Sequence, residues 1–327
     1  MSASPGRRFA PTQEQIVLGV TALLAAAFAL TLPGFGTLDN LLTLTRRVAI
    51  LGMLGVAMSV VVIGRGLDLS LVASMAVSAA VALQLLQQQW PTGAALGAAL
   101  LLAVAIGLIN GFIIAFIEVP ALFTTLATGF LVFGLGRVFL LDGVISYLPP
   151  QAASLAFIGQ GRLLGVPMPI LAFALIALAV HLLMSRSVLG RFIYAHGDNA
   201  EAARLTGIPV RPLTMLEYSL CSTIGFVAGL VMAASTASMN TQVIHSTLIF
   251  DVILVVVLGG VSLVGGRGSV LSVLAGTALI GTLLNGMTIL NLDNNVQNIV
   301  KGAVLLAAIL LDNRLHPRDE ETARQGD

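Results

Sequence analysis

Residues Ser185–Pro212 read SRSVLGRFIYAHGDNAEAARLTGIPVRP. This segment holds Arg186, Arg191, Arg204 and Arg211, four of the sixteen basic residues, inside a chain that is 57% hydrophobic and only 9% charged. An ordinary soluble domain is about 25% charged. Such a chain has almost no soluble mass, so a polar stretch this long is a loop between membrane spans rather than part of a water-soluble core. Within it, Asn199-Ala-Glu-Ala-Ala-Arg-Leu205 is a compact helical run closed by Gly207. The loop predicts a short surface helix through which force applied outside the bilayer can reach the spans.

Working outward from the loop, runs of roughly 17–25 apolar residues mark candidate spans. Before it they fall at about Gln15–Leu32, Arg47–Gly64, Leu67–Gln87, Thr92–Phe116, Pro120–Leu141 and Met168–Met184. After it they fall at about Leu213–Ser235, Leu248–Gly265, Ser269–Leu290 and Val296–Leu311. The expected fold is therefore all-α, a polytopic membrane protein of about ten transmembrane helices. The expected divisions are an N-terminal tail 1–14, a transmembrane domain 15–312 containing the loop 185–212, and a C-terminal tail 313–327. The first apolar run lacks a small-residue cleavage site and reads as a retained span. Glycine and proline punctuate the breaks, as at Gly64-Arg-Gly66, Val119-Pro120 and Gly265-Gly-Arg-Gly268.

With the N-terminus inside, the inner segments hold eleven arginines: Arg7, Arg8, Arg65, Arg186, Arg191, Arg204, Arg211, Arg267, Arg314, Arg318 and Arg324. The outer segments hold Arg46, Arg47 and Arg162. That bias predicts both termini in the cytoplasm. Arg46 and Arg47 are discordant, and either snorkel at the outer interface or mark a span that begins earlier.

Two short internal matches suggest pseudo-repeated halves. Val60-Val-Val-Ile-Gly64 resembles Val255-Val-Val-Leu-Gly259, and Ile106-Gly-Leu-Ile-Asn-Gly111 resembles Ile280-Gly-Thr-Leu-Leu-Asn-Gly286.

Asp68 follows a glycine break between two apolar runs. A carboxylate at membrane depth costs about 2.5–3.5 kcal/mol on insertion scales, so it is expected at a helix start, accepting free N–H groups. Leu258–Ser269 carries five glycines. Gly266-Arg-Gly268 is superficially similar to a phosphate loop, but no GxxxxGK[ST] and no βαβ pattern accompany it, so close backbone approach explains the glycines. Arg137, Glu217, Asp251 and Lys301 lie within apolar runs and should face one another or water, yet no spacing identifies the partners. The four histidines are scattered and make no metal set, the lone Cys221 excludes a disulfide framework, and no nucleophile–base or paired-carboxylate arrangement points to an enzyme. A net charge of +1 gives no reason to expect nucleic acid as a partner.

Four blocks then carry a family resemblance over nearly the whole chain: Gly66-Leu-Asp-Leu-Ser70, Gly190–Ile208, Val257–Gly268, and Val300-Lys-Gly-Ala-Val with Leu-Leu-Asp-Asn313. The chain resembles the permease subunit of ribose/xylose/galactose-type bacterial ABC sugar importers. The resemblance implies a dimer of permeases, homomeric or heteromeric, in the bacterial inner membrane. It also implies two cytoplasmic ATPase subunits that hold ATP and magnesium, and a periplasmic sugar-binding protein. No cofactor is expected on this chain. In such permeases the segment matching Asn199, Ala200, Glu201, Ala202, Ala203, Arg204, Leu205 and Gly207 is the coupling helix that docks on the ATPase. The chain departs from the family at Leu71-Val72, where Val-Gly is common, and at Ile249-Phe250, where an acidic residue is usual.

The function expected is translocation of a monosaccharide or related polyol, with no chemistry on this chain. A neutral sugar needs hydroxyl-compatible donors and acceptors and no counter-ion. The path candidates are accordingly Asp68, Ser74, Asn110, Thr125, Thr128, Asn240 and Asn285. The alternatives are a branched-chain-amino-acid-type ABC permease, or a stand-alone secondary transporter with a charged relay at midplane.

Overall fold

The computed structural model describes residues 13–315, so most of the expected tails, and with them Arg7, Arg8, Arg318 and Arg324, lie outside the described residues. The helices are α1 (Gln13–Thr31), α2 (Leu38–Ile63), α3 (Leu71–Gln87), α4 (Thr92–Phe112), α5 (Ala121–Leu135), α6 (Ala153–Gln160), α7 (Met168–Arg186), α8 (Val188–Asp198), α9 (Ala200–Leu205), α10 (Val210–Thr236), α11 (Leu248–Gly259), α12 (Val270–Ile289) and α13 (Asn294–Leu315). Single π-turns extend α4 to Ile117 and α5 to Leu140. The strands are minor: β1 (Ile145–Tyr147) pairs antiparallel with β4 (Ser238–Asn240), and β2 (Arg162–Leu163) with β3 (Val166–Pro167).

The all-α membrane architecture stands, but ten spans do not. Among the described residues seven helices are long and apolar enough to cross a bilayer: α1, α2, α4, α5, α7, α10 and α12. The expected spans Leu67–Gln87 and Leu248–Gly265 are helices of 17 and 12 residues. At 1.5 Å per residue they reach only about 25 and 18 Å, against a hydrocarbon core of about 30 Å. Glycine breaks truncate both. They can be short because protein surrounds them: every residue from Leu71 to Gln84 is buried, as are five of the last eight of α11. The last expected span belongs to α13, which opens on Asn294, Asn295, Gln297 and Asn298 and so lacks a fully apolar stretch. Span two also starts nine residues earlier than expected, so that Arg46 and Arg47 lie inside α2.

α3 is the axis of the bundle. α10 packs along it and also against α2 and α4. Glycines set these distances. Gly107 and Gly111 of α4 lie directly on the α10 backbone at Ser219 and Met215, and Gly225 and Gly229 of α10 lie on Leu71 and Met75 of α3. Two small-xxx-small pairs therefore bring three helices into backbone contact, which is how apolar helices gain packing energy where lipid is as apolar as leucine. On the other side α2 packs on α7, α11 and α12, and α1 lies outside α12.

The chain reverses at two ends. Glu14, the Gly64–Ser70 break, Glu118, α8, α9 and the 260–268 loop gather at one end, as the contacts Ser269–Glu14, Arg211–Glu118 and Gly266–Ile63 require. The β1–β4 ribbon, α6 and the β2–β3 hairpin occupy the other. Of the two internal matches, the first is reflected in the fold. The paired sequences end α2 and α11, each is followed by a glycine-rich reversal, and each following helix starts after a serine, Ser70 or Ser269. The second match falls on α4 and α12, which run in opposite directions, so it does not belong to that repeat.

Candidate functional site

The end of α2 is where three of the sequence blocks meet. A helix terminus leaves four carbonyls without partners, and here all four find one. Val60 O accepts from Gly64 N (3.2 Å), Val61 O from Gly66 N (2.8 Å), and Val62 O from Arg65 N (3.0 Å). This closure uses Arg65 in the left-handed region, φ 71, a position glycine usually takes. The fourth, Ile63 O, accepts from Gly266 N of the distant glycine loop at 2.8 Å. Gly265, Gly266 and Gly268 all have positive φ, and a Cβ on Gly265 would lie 2.7 Å from Gly197 O. Gly197 of α8 sits on the same spot: a Cβ there would strike Ile63 O and come within 2.5 Å of Gly266 N. The loop 185–212 is thus packed without intervening side chains on the break and on the glycine loop. The Tyr194 hydroxyl adds a bond to Gly268 O (2.8 Å).

α8 and α9 form for local reasons. Ser187 caps α8 by accepting Gly190 N (3.0 Å), and Asn199 caps α9 by accepting Ala202 N (2.9 Å). α9 ends on Gly207 at φ +86, with Ile208 N on Ala203 O (3.1 Å) and Gly207 N on Arg204 O (3.1 Å), the paired closure of a Schellman motif. Ala203 faces inward, while Glu201, Ala202, Arg204 and Leu205 face out. All eight residues expected for coupling therefore lie in one capped turn whose inner side rests on the broken helix.

Around the break a cavity of about 230 Å³ opens toward α9, lined in part by Arg65, Glu118, His196, Arg204, Arg211 and Glu217. Burial, followed by the charges of Arg65 and Arg204, holds the His196 imidazole down at about 4, so it is neutral at physiological pH. Glu217 is buried against Gly64, and its Oε1 has no hydrogen-bond partner among the described residues. Arg211 pairs with Glu118 at 3.3 Å on an exposed face, which stabilises little. The sequence gave no signal for Arg65, His196 or Tyr218 at this site, because they come from three separate segments.

The seven path candidates fall into two sets. Asp68, Asn110 and Thr125 converge behind the break and are fully buried. Asp68 Oδ1 accepts Ser70 N (2.9 Å) and Ser70 Oγ (2.6 Å), Asn110 Nδ2 donates to Ser70 Oγ (2.8 Å), and Thr125 Oγ1 accepts Leu69 N (3.1 Å). The carboxylate thus closes a turn just before α3 and makes no bond to that helix's free N–H groups. Ser74 and Thr128 are also buried nearby, on α3 and α5. Asn240 is exposed on β4 at the other end, and Asn285 is on α12, in the half of the bundle away from the loop. The intramembrane charges left unpaired by the sequence do find each other: Lys301 Nζ lies 2.9 Å from Asp251 Oδ1 and 2.8 Å from Thr247 Oγ1. No group of three or more potential metal ligands occurs among the described residues.

A bundle of membrane-length helices around a short buried axis, with a capped polar loop fixed to a break in that axis, defines a multi-pass membrane protein built to receive force at one end. The chain belongs to the family described as "Branched-chain amino acid transport system / permease component", whose profile matches residues 40–309. The ribose import permease protein of Escherichia coli strain K12 is 34% identical over 313 residues, 94% of this chain and 97% of that protein. The L-arabinose transport system permease protein of the same strain is 35% identical over 301 residues, 90% of this chain and 89% of that one. The ribose import permease protein of Bacillus subtilis strain 168 is 34% identical over 282 residues, 86% and 87%. No solved structure matches the chain.

Proposed function

We propose that this protein is the membrane-spanning permease of an ATP-driven importer and moves a monosaccharide or related polyol. The chain performs no chemistry. ATP and magnesium are held by a separate ATPase subunit, a second permease completes the pore, and a binding protein delivers the solute. The protein sits in the bacterial inner membrane with the loop end and both tails in the cytoplasm. The observation that carries this reading is the direct backbone packing of Gly197 on Ile63 and of Gly266 on the same carbonyl. A displacement of α9 cannot be absorbed by side-chain rotation and must move the ends of α2 and α3. ATP-driven closure of the partners can then bias the bundle between outward-open and inward-open arrangements.

Glu201 and Arg204 lie on the exposed side of α9 and are assigned to the ATPase contact. The variant Glu201→Ala/Arg204→Ala is expected to insert normally but to lose solute uptake or to lose ATPase subunit on purification. Full uptake with full recovery of the complex would remove the coupling assignment. The pentose names of the relatives support a sugar, whereas the family description names branched-chain amino acids. Competition of labelled ribose, arabinose and leucine for uptake by the assembled transporter separates the two, with leucine expected to be without effect.

A further inference from the structure

A second chamber, also of about 230 Å³, lies in the half of the bundle away from the loop, between α2, α11, α12 and α13. Its polar lining is Arg47, Asp251, Asn285, Thr288 and Gln297. The hydrogen-bonding capacity left over by each group can be counted. Asn285 Nδ2 is buried and makes no bond among the described residues. Gln297 uses its amide nitrogen on Leu292 O (2.9 Å), which leaves its oxygen as an acceptor. Thr288 donates to Leu284 O (2.8 Å), so its lone pairs remain. Asp251 is charge-neutralised by Lys301 at 2.9 Å, yet each carboxylate oxygen can still accept. Arg47 adds donors and has no ion-pair partner among the described residues.

From this inventory we infer that the chamber is a low-affinity solute site for a neutral, single-ring polyhydroxylated molecule, formed by Arg47, Asp251, Asn285, Thr288 and Gln297. The inference rests on the sugar-permease reading above. Donors and acceptors alternate around one small space, which is what adjacent hydroxyls, each both donor and acceptor, require. The volume is below the about 300–1,000 Å³ of pockets for drug-sized ligands, which suits one ring. A zwitterionic amino acid fits worse, because its ammonium would have to displace Lys301 from Asp251. The apolar walls Leu51 and Leu284 suit the C–H face of a sugar ring.

The full-length chain in nanodiscs, titrated with ribose or arabinose and followed by saturation-transfer NMR, tests the site. Millimolar binding is expected for a pentose and none for leucine. Asn285→Leu and the near-isosteric Thr288→Val should each weaken pentose binding roughly threefold to tenfold, the loss of about one hydrogen bond. Thr288→Val provides the measurement even where Asn285→Leu fails to fold. Unchanged pentose binding in a folded variant overturns the chamber, as does leucine binding that the variants abolish. A phospholipid retained by the wild-type chain in native mass spectrometry, lost in the variants and not displaced by sugar, overturns it too. The permease reading is judged separately: sugar uptake by the assembled transporter leaves it standing even where the chamber fails, and absence of uptake of any sugar removes it.

Discussion

Asp68 concentrates the residue-scale question, because a fully buried carboxylate in this bundle must either hold structure or carry charge to a purpose. Its Oδ1 receives two bonds from one residue, the amide and hydroxyl of Ser70, and Ser70 in turn receives Asn110. Asparagine retains that acceptor oxygen and the shape; leucine retains neither. Asp68→Asn is therefore expected to keep most expression and uptake. Asp68→Leu strands a buried N–H and a hydroxyl, at about 1–3 kcal/mol for each unsatisfied group, and should lower the melting temperature by several degrees. Equal damage from both substitutions would mean that the negative charge itself is required. The same network explains why Asn110 and Thr125 looked like path residues: their polarity is consumed in holding an irregular backbone segment, which membranes tolerate only when protein satisfies it.

Among the elements, α8 decides whether the loop is a lever or a tether. Gly197 has no room for a methyl group, whereas Gly97 on α4 has nothing within 4 Å of an added Cβ. Gly197→Ala must push α8 off the α2 terminus and break the Gly266–Ile63 bond. It is expected to lower the ratio of solute transported to ATP hydrolysed by tenfold or more in the purified complex. Gly97→Ala should leave that ratio unchanged and stabilise slightly, since alanine is favoured over glycine in a helix interior by about 0.5–1 kcal/mol. A normal ratio in Gly197→Ala would show that force reaches the spans by another contact. The repeated helix–break–helix units, α2 with α3 and α11 with α12, touch at this point through Ile63 and Gly266. Each half thus terminates the other.

At the scale of the whole molecule, the basic residues Arg65, Arg186, Arg191, Arg204, Arg211 and Arg267 belong to the loop end, which the positive-inside rule assigns to the cytoplasm. Two exposed leucines mark the ends: Leu205 at 83% exposure on α9 and Leu164 at 97% in the β2–β3 turn. The native Cys221 is fully buried and gives no background. In intact spheroplasts a membrane-impermeant maleimide should label Leu164→Cys at once and Leu205→Cys only after permeabilisation. The opposite pattern would turn the protein over in the membrane and remove the coupling assignment with it.

Composition and the loop at 185–212 were sufficient to establish a polytopic helical membrane protein, because excluding charge from so long a chain leaves no other solvent for it. The capped turn at Asn199–Gly207 was equally legible, since caps and a C-terminal glycine act over a few residues. Span number was not. Apolar run length reports what a segment could cross, whereas the glycine breaks shorten α3 and α11 and enclosure by neighbouring helices makes the shortness harmless. Nor could spacing along the chain pair Lys301 with Asp251, fifty residues apart, or bring Gly266 to Ile63, because those meetings depend on how helices pack. Arg47 read as a misplaced outer charge for the same reason, and only the packing of α2 against α11, α12 and α13 gives its guanidinium a chamber to line.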